Sequence, residues 1–174
     1  VSIPELRNYP QAAQVLSDGG DILDSIGAHW WLSSGTALGI YRDGRLIPHD
    51  NDLDVGVLDT PELRGRLVAA LRRAGADVFV EQLCQVACRL RDVVFDVRIF
   101  YRVEDELVTD TELGQMRKPA RLVADLARIE FDGRSYPLPN PPDEYLAVRY
   151  GPGWPIPKTS KGPWTHEAHN LIRR

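Results

Sequence analysis

The chain has 174 residues, a length that suits one domain, because single cores divide only beyond ~250 residues. Hydrophobic residues make up 43% and charged residues 26%, ordinary globular usage that excludes wholesale disorder and fibrous repeats. A formal net charge of -4, from 21 Lys and Arg against 25 Asp and Glu, argues against a broad nucleic-acid-binding coat and leaves room for a local anion site.

The two cysteines, Cys84 and Cys88, imply no disulfide framework, and two thiols alone make an incomplete zinc site, so they are read as small buried residues. The opening VSIPELRNYPQAAQVL lacks a basic region followed by an apolar stretch. No window approaches the ~20 apolar residues that a membrane span requires. The expectation is a cytoplasmic protein without a membrane span.

In chain order, Tyr9 to Ile26 spaces Ala12, Val15, Leu16, Ile22, Leu23 and Ile26 at helical intervals, with Gly19 and Gly20 predicting either a helix or a broken pair. His29 to Leu32 reads as a short strand that runs into SSGTALG, a small-residue turn opening a second helix. Gly44 and Pro48 end that helix around YRDGRLIP. Asp52 to Val57 follows as a strand whose period of two places Asp52 and Asp54 on one face and Leu53 and Val55 on the other.

Thr60-Pro61-Glu62 predicts a helix running to about Ala74. Val78 to Val80, Val86 to Leu90 and Val93 to Phe100 are predicted strands, with turns at Arg91-Asp92 and Glu104-Asp105. Asp132-Gly133 predicts a hairpin between Leu122–Phe131 and Ser135–Leu138. A short helix, capped by Asp143 or its neighbours, runs to Arg149, and residues 151–174 are predicted to form an irregular tail or lid. The fold class is therefore α/β (α+β): a mixed sheet flanked by helices in one domain over 1–174.

Asp50, Asp52 and Asp54 place three carboxylates within five positions, and the repulsion between them is relieved most directly by a divalent cation with oxygen ligands. A solvated acidic loop is the alternative. An EF-hand is excluded, since Val55 and Pro61 stand where its glycine and final glutamate belong. Asp96, within the apolar strand VVFDVRIF, is a candidate third ligand or else the partner of Arg98 or Arg91. His49 beside the acids is a candidate acid or base, and His29 a structural histidine. His166 and His169, three apart, are a possible small metal site.

Gly35-Thr36 before a helix, Asp52-Leu53-Asp54 on a strand and Asp96 on a later strand together resemble the nucleotidyltransferase fold of the polymerase beta superfamily. More narrowly, LSSGTALGIYRDGRLIPHDNDLDVGV resembles the signature of the LicD/fukutin family. The resemblance extends to LPNPPDEYLAVRYGPGW, where Tyr150, Gly151 and Trp154 match a Tyr-Gly-x-x-Trp element. His49 and Asn51 depart from the usual tryptophan and acid of that signature.

The resemblance implies Mg or Mn held by Asp52, Asp54 and Asp96, and a diphosphate met by the Gly35-Thr36 amides at a helix N-terminus. Arg42 and Arg45 are candidate phosphate clamps, and Lys158 and Lys161 candidate lid residues. The expected activity is phosphoryl-group transfer from a nucleoside-diphosphate-linked small molecule, a nucleotide sugar or alditol. Two alternatives stand beside it: a flavin-independent nucleotide-sugar pyranose-furanose mutase on the same site, and a non-catalytic nucleotide-binding module. No GxGxxG run points to a flavin. The short chain leads to the expectation of a small acceptor, or of none.

Overall fold

In the computed structural model, residues 4–158 and 168–173 are described. Among these residues, helices α1 (Ala12–Ser25), α2 (Ser34–Asp43), α3 (Leu63–Arg73) and α4 (Pro142–Tyr150) accompany strands β1 (Trp30–Leu32), β2 (Asp52–Leu58), β3 (Asp77–Gln82), β4 (Gln85–Leu90) and β5 (Val93–Val103). The later strands are β6 (Glu106–Thr111), β7 (Gly114–Pro119), β8 (Ala127–Phe131), β9 (Arg134–Leu138) and β10 (Leu171–Arg173). The main sheet runs β1-β2-β5-β6-β7-β10, with β4 also on β5 and β3 on β4, while β8 and β9 form a separate hairpin. Among the described residues β2 and β5 pair in parallel and the other pairings are antiparallel.

The strand alternation read from Asp52 to Val57 is present: Leu53 and Val55 are fully buried, while Asp52 and Asp54 are half-buried on the other face. Leu53, Val55, Phe95 and Val97 join Val15, Leu16 and Leu23 of α1 and Leu63, Leu67 and Leu71 of α3 in the main core. The parallel register sets Asp54 beside Asp96. It therefore brings together two acids 42 positions apart in the chain, both alternating with core residues.

Of the two forms open for Tyr9 to Ile26, the single helix is present: Gly19 and Gly20 are both buried within α1, and a Cβ on Gly19 would collide with the Phe95 ring. Close helix-to-sheet approach, and not helix termination, accounts for that glycine. The third helix begins at Leu63 rather than Thr60, because Glu62 sits at φ 63 and blocks continuation to Pro61. The strand expected from Leu122 starts only at Ala127, after a 3-10 turn over Ala120–Val123.

The Arg91-Asp92 turn has φ values of 50 and 68, and Asp132-Gly133 of 48 and 75, the doubly positive pair that closes a two-residue hairpin. The tail is not wholly irregular, since β10 adds antiparallel to β7. Among the described residues no helix is long and apolar enough to cross a membrane. Cys84 and Cys88 are buried free thiols, and burial pushes the Cys88 thiol up to about 12.

Candidate active site

β2 enters the sheet directly after the loop that carries His49, Asp50 and Asn51, so the loop acid and the two strand acids meet. One carboxylate oxygen from each of Asp50, Asp52 and Asp54 lies within 4.8 Å of the others. They line an open cleft of about 1510 Å³, larger than the ~300–1,000 Å³ of most small-molecule sites.

The start of α2 braces these acids. The Gly35 N–H donates to Asp54 Oδ2 at 3.3 Å, and the Asp54 N–H donates to Thr36 Oγ1 at 2.8 Å. A Cβ at Gly35 would run into Asp50 Oδ2, so only glycine lets the helix approach this closely. Ser34, at φ 43, donates its N–H to the Tyr145 hydroxyl at 2.9 Å. The Gly35-Thr36 segment thus holds the acids, and its Gly35 amide points at Asp54.

Burial, followed by repulsion from Asp52, Asp50 and Asp96, holds the Asp54 carboxyl well above the ordinary carboxylate range, with Arg149 pulling it back. Asp96 faces the same cleft from β5. It accepts two bonds from Gln85 Nε2, at 3.0 and 2.9 Å, and pairs with Arg98 at 3.8 Å. Burial raises its pKa against the opposing pull of Arg98 and Gln85. The carboxylate that completes the close trio is Asp50, while Asp96 stands beside Asp54 on the next strand.

Arg42 lines the cleft with its guanidinium held by Asp43, at 2.9 and 2.8 Å, and by the Trp154 carbonyl at 3.3 Å. Arg45 is exposed and lies away from the cleft lining. His49 and Lys158 are exposed at the cleft. Lys161 and His166 lie outside the described residues. His169 lines the cleft beside Gly151, and its N–H donates to the Arg149 carbonyl at 3.0 Å. His29 is structural, its Nε2 bonding the Val123 carbonyl at 2.6 Å.

Two cations that the sequence reading did not single out complete the lining. Arg149 closes α4, and Lys118 lies on β7, where alternation with Gly114 and Met116 buries it. Arg149 falls within the block LPNPPDEYLAVRYGPGW, next to Tyr150. Lys118 could have been found from the period of two in GQMRKP, had that segment been read as a strand.

A family model described as the LicD/FKTN/FKRP nucleotidyltransferase domain matches residues 27–141, more than half of the chain. The chain belongs to this family. Among its LicD-family relatives, the human ribitol-5-phosphate transferase FKTN is 29% identical over 155 residues, covering 84% of this chain and 33% of that protein. The human ribitol 5-phosphate transferase FKRP is 25% identical over 149 residues, covering 76% and 29%. The chain thus spans about a third of the length of these relatives.

The solution structure of the antibiotic-resistance factor ANT(2'')-Ia superposes with a TM-score of 0.58 at 16% identity, over 90% of this chain and 80% of that one. The lincomycin-bound lincosamide antibiotic adenylyltransferase LnuA gives 0.55 at 14%, over 73% and 79%. The fold of this LicD-family chain is that of the nucleotidyltransferases: a mixed sheet, mostly antiparallel, flanked by helices.

Proposed function

We propose that this chain carries the transferase site for moving a phosphate-linked alditol or sugar from a nucleoside-diphosphate-linked donor to a hydroxyl acceptor. The observation that carries the reading is the convergence of Asp50, Asp52 and Asp54 on a cleft that also presents the buried Arg149, within a LicD-family domain. Relatives named as ribitol-5-phosphate transferases support the choice of an alditol phosphate.

The donor set is entirely carboxylate oxygen, which suits a hard divalent cation such as Mg or Mn. Asp50, Asp52 and Asp54 would hold the ion, which would neutralise charge on the donor's phosphate oxygens. In the transfer, the acceptor oxygen bonds to the phosphorus that bears the alditol. The link from that phosphorus to the bridging oxygen breaks, and a nucleoside monophosphate departs with the electron pair.

Asp96 takes the hydroxyl proton, a role suited to a buried carboxylate whose pKa is raised toward the working pH. Gln85 holds that carboxylate in place. Arg42 and Lys158 meet the outer part of the donor from the cleft lining, and His49 stands at its entrance.

The test is incubation of the chain with a panel of nucleotide-linked alditols and sugars, Mn or Mg and hydroxyl acceptors, followed by mass spectrometry and phosphorus NMR. Release of nucleoside monophosphate with formation of a phosphodiester is the expected result. A product of unchanged mass with altered sugar signals would mean isomerisation, and binding without turnover would mean a nucleotide-binding module. Either outcome replaces the transferase reading.

A further inference from the structure

Among the described residues, Lys118 and Arg149 are the buried cations of the cleft, only 3% and 7% exposed. Burying a charge without a partner is costly, and buried cations in proteins ordinarily sit against a carboxylate. Neither forms an ion pair with a carboxylate within 4.0 Å among the described residues. The Lys118 ammonium instead lies over the ring faces of Phe100, Trp31 and Tyr145, at 3.5, 4.8 and 5.5 Å from their centroids. Such faces favour a cation but supply no charge.

Arg149 keeps one donor unpaired among the described residues. Its Nε donates to Ser34 Oγ at 3.3 Å and its guanidinium stacks 4.7 Å from the Tyr150 ring centre, while Nη1 is buried with no hydrogen-bond partner. An orphaned donor on a nine-tenths buried guanidinium, in a cleft, is half of a fork awaiting an oxyanion.

We propose that Lys118 and Arg149 form a preorganised anion subsite that receives the phosphate oxygens of the donor, on a wall of the cleft that the acidic trio also lines. The wall is set by independent elements: β7 delivers Lys118, α4 delivers Arg149, and Tyr145 joins them by lying under the ammonium while bonding Ser33 Oγ and the Ser34 N–H. Burial, with the charge of Arg149 added, pushes the Lys118 ammonium well below its usual range, a cost that a bound polyanion would reverse. The chain's overall charge of -4 gives no general reason for such a pair to collect here. The subsite rests on the transferase reading for the identity of its ligand.

The test uses inorganic pyrophosphate with the full chain, by calorimetry and by thermal shift, with and without Mn. The wild-type chain is expected to bind pyrophosphate without metal. Lys118→Met and Arg149→Gln are each expected to weaken that affinity roughly 10-fold or more, with Lys118→Met leaving Mn affinity within about twofold. Arg149→Lys, which keeps the charge but loses the fork, should fall between.

Should Arg149→Gln fail to fold, Lys118→Met and Arg149→Lys still decide the matter, together with the shift of the Lys118 side-chain NMR signal on adding pyrophosphate. Unchanged pyrophosphate affinity in Lys118→Met and Arg149→Lys, or no pyrophosphate binding by the wild type, would overturn the subsite. A different result, no Mn binding alongside pyrophosphate binding that depends on Lys118 and Arg149, would keep the subsite and remove the metal half of the transferase reading.

Discussion

At the scale of single residues, Asp54 concentrates the electrostatic tension of the site. An unfolded aspartate ionises near pH ~4. In the fold, burial and the three neighbouring acids hold Asp54 protonated to higher pH. Between those two values the folded state binds more protons than the unfolded one, so stability without metal falls as pH rises through that window. Asp54→Asn keeps an oxygen for the Gly35 N–H and removes the charge. It is expected to flatten this pH dependence and to raise the melting temperature of the metal-free chain at neutral pH by roughly 2 °C or more, while abolishing Mn binding. Scanning fluorimetry from pH 5 to 8, with calorimetry for Mn, checks both halves. A variant that melts lower at every pH would show that the carboxylate is not strained. Asp96→Asn offers the complementary case. It keeps an acceptor for Gln85 but cannot take a proton, and the expected result is a loss of turnover of about 100-fold with Mn affinity little changed.

At the scale of elements, glycine contacts make the sharpest expectations. Gly19→Ala forces a methyl group into the Phe95 ring and should cost about 1–3 kcal/mol in urea unfolding. Gly65→Ala, in an exposed part of α3 where nothing would meet the new carbon, should instead stabilise by about 0.5–1 kcal/mol. Equal effects at both positions would mean that helix propensity, and not the approach of α1 to β5, governs α1.

This contrast also shows what could be read in the sequence. Local patterns placed β1, the turn into α2, β2, β5 and the hairpin turns at Arg91-Asp92, Glu104-Asp105 and Asp132-Gly133, because alternation and turn chemistry are properties of neighbouring residues. The role of Gly19 depends on Phe95, 76 positions away, and no local pattern carries that information. The acids of the cleft were legible for the same reason that β2 was. Lys118 and Arg149 were not, since a cation in GQMRKP or AVRYG looks like a solvated one until β7 is placed against Tyr145 of α4 and both elements line the cleft.

At the scale of the whole molecule, the last described segment closes back on the site. β10 extends the sheet beyond β7, and Gly151, at φ 80, leaves room for the His169 ring that a Cβ would strike. Gly151→Ala is therefore expected to cost about 1–3 kcal/mol and to loosen the end of α4 that positions Arg149. Thermal melting and pyrophosphate titration of the same variant should both weaken. Loss of stability without loss of anion affinity would separate the tail from the cleft.

One strand has a wider consequence. β5 pairs with β2 and β4 over Val93–Phe100 and with β6 through its last three residues, so the backbone that holds Asp96 also holds Phe100 beneath the Lys118 ammonium. A cation at the acidic trio and an anion at Lys118 and Arg149 would then steady the same peptide groups. Each ligand would find part of its ordering already done by the other. Amide hydrogen exchange along Val93–Val103 is the place where Mn and pyrophosphate, added separately, should each slow the same set of protons. Positive cooperativity between them would follow without any displacement of the chain.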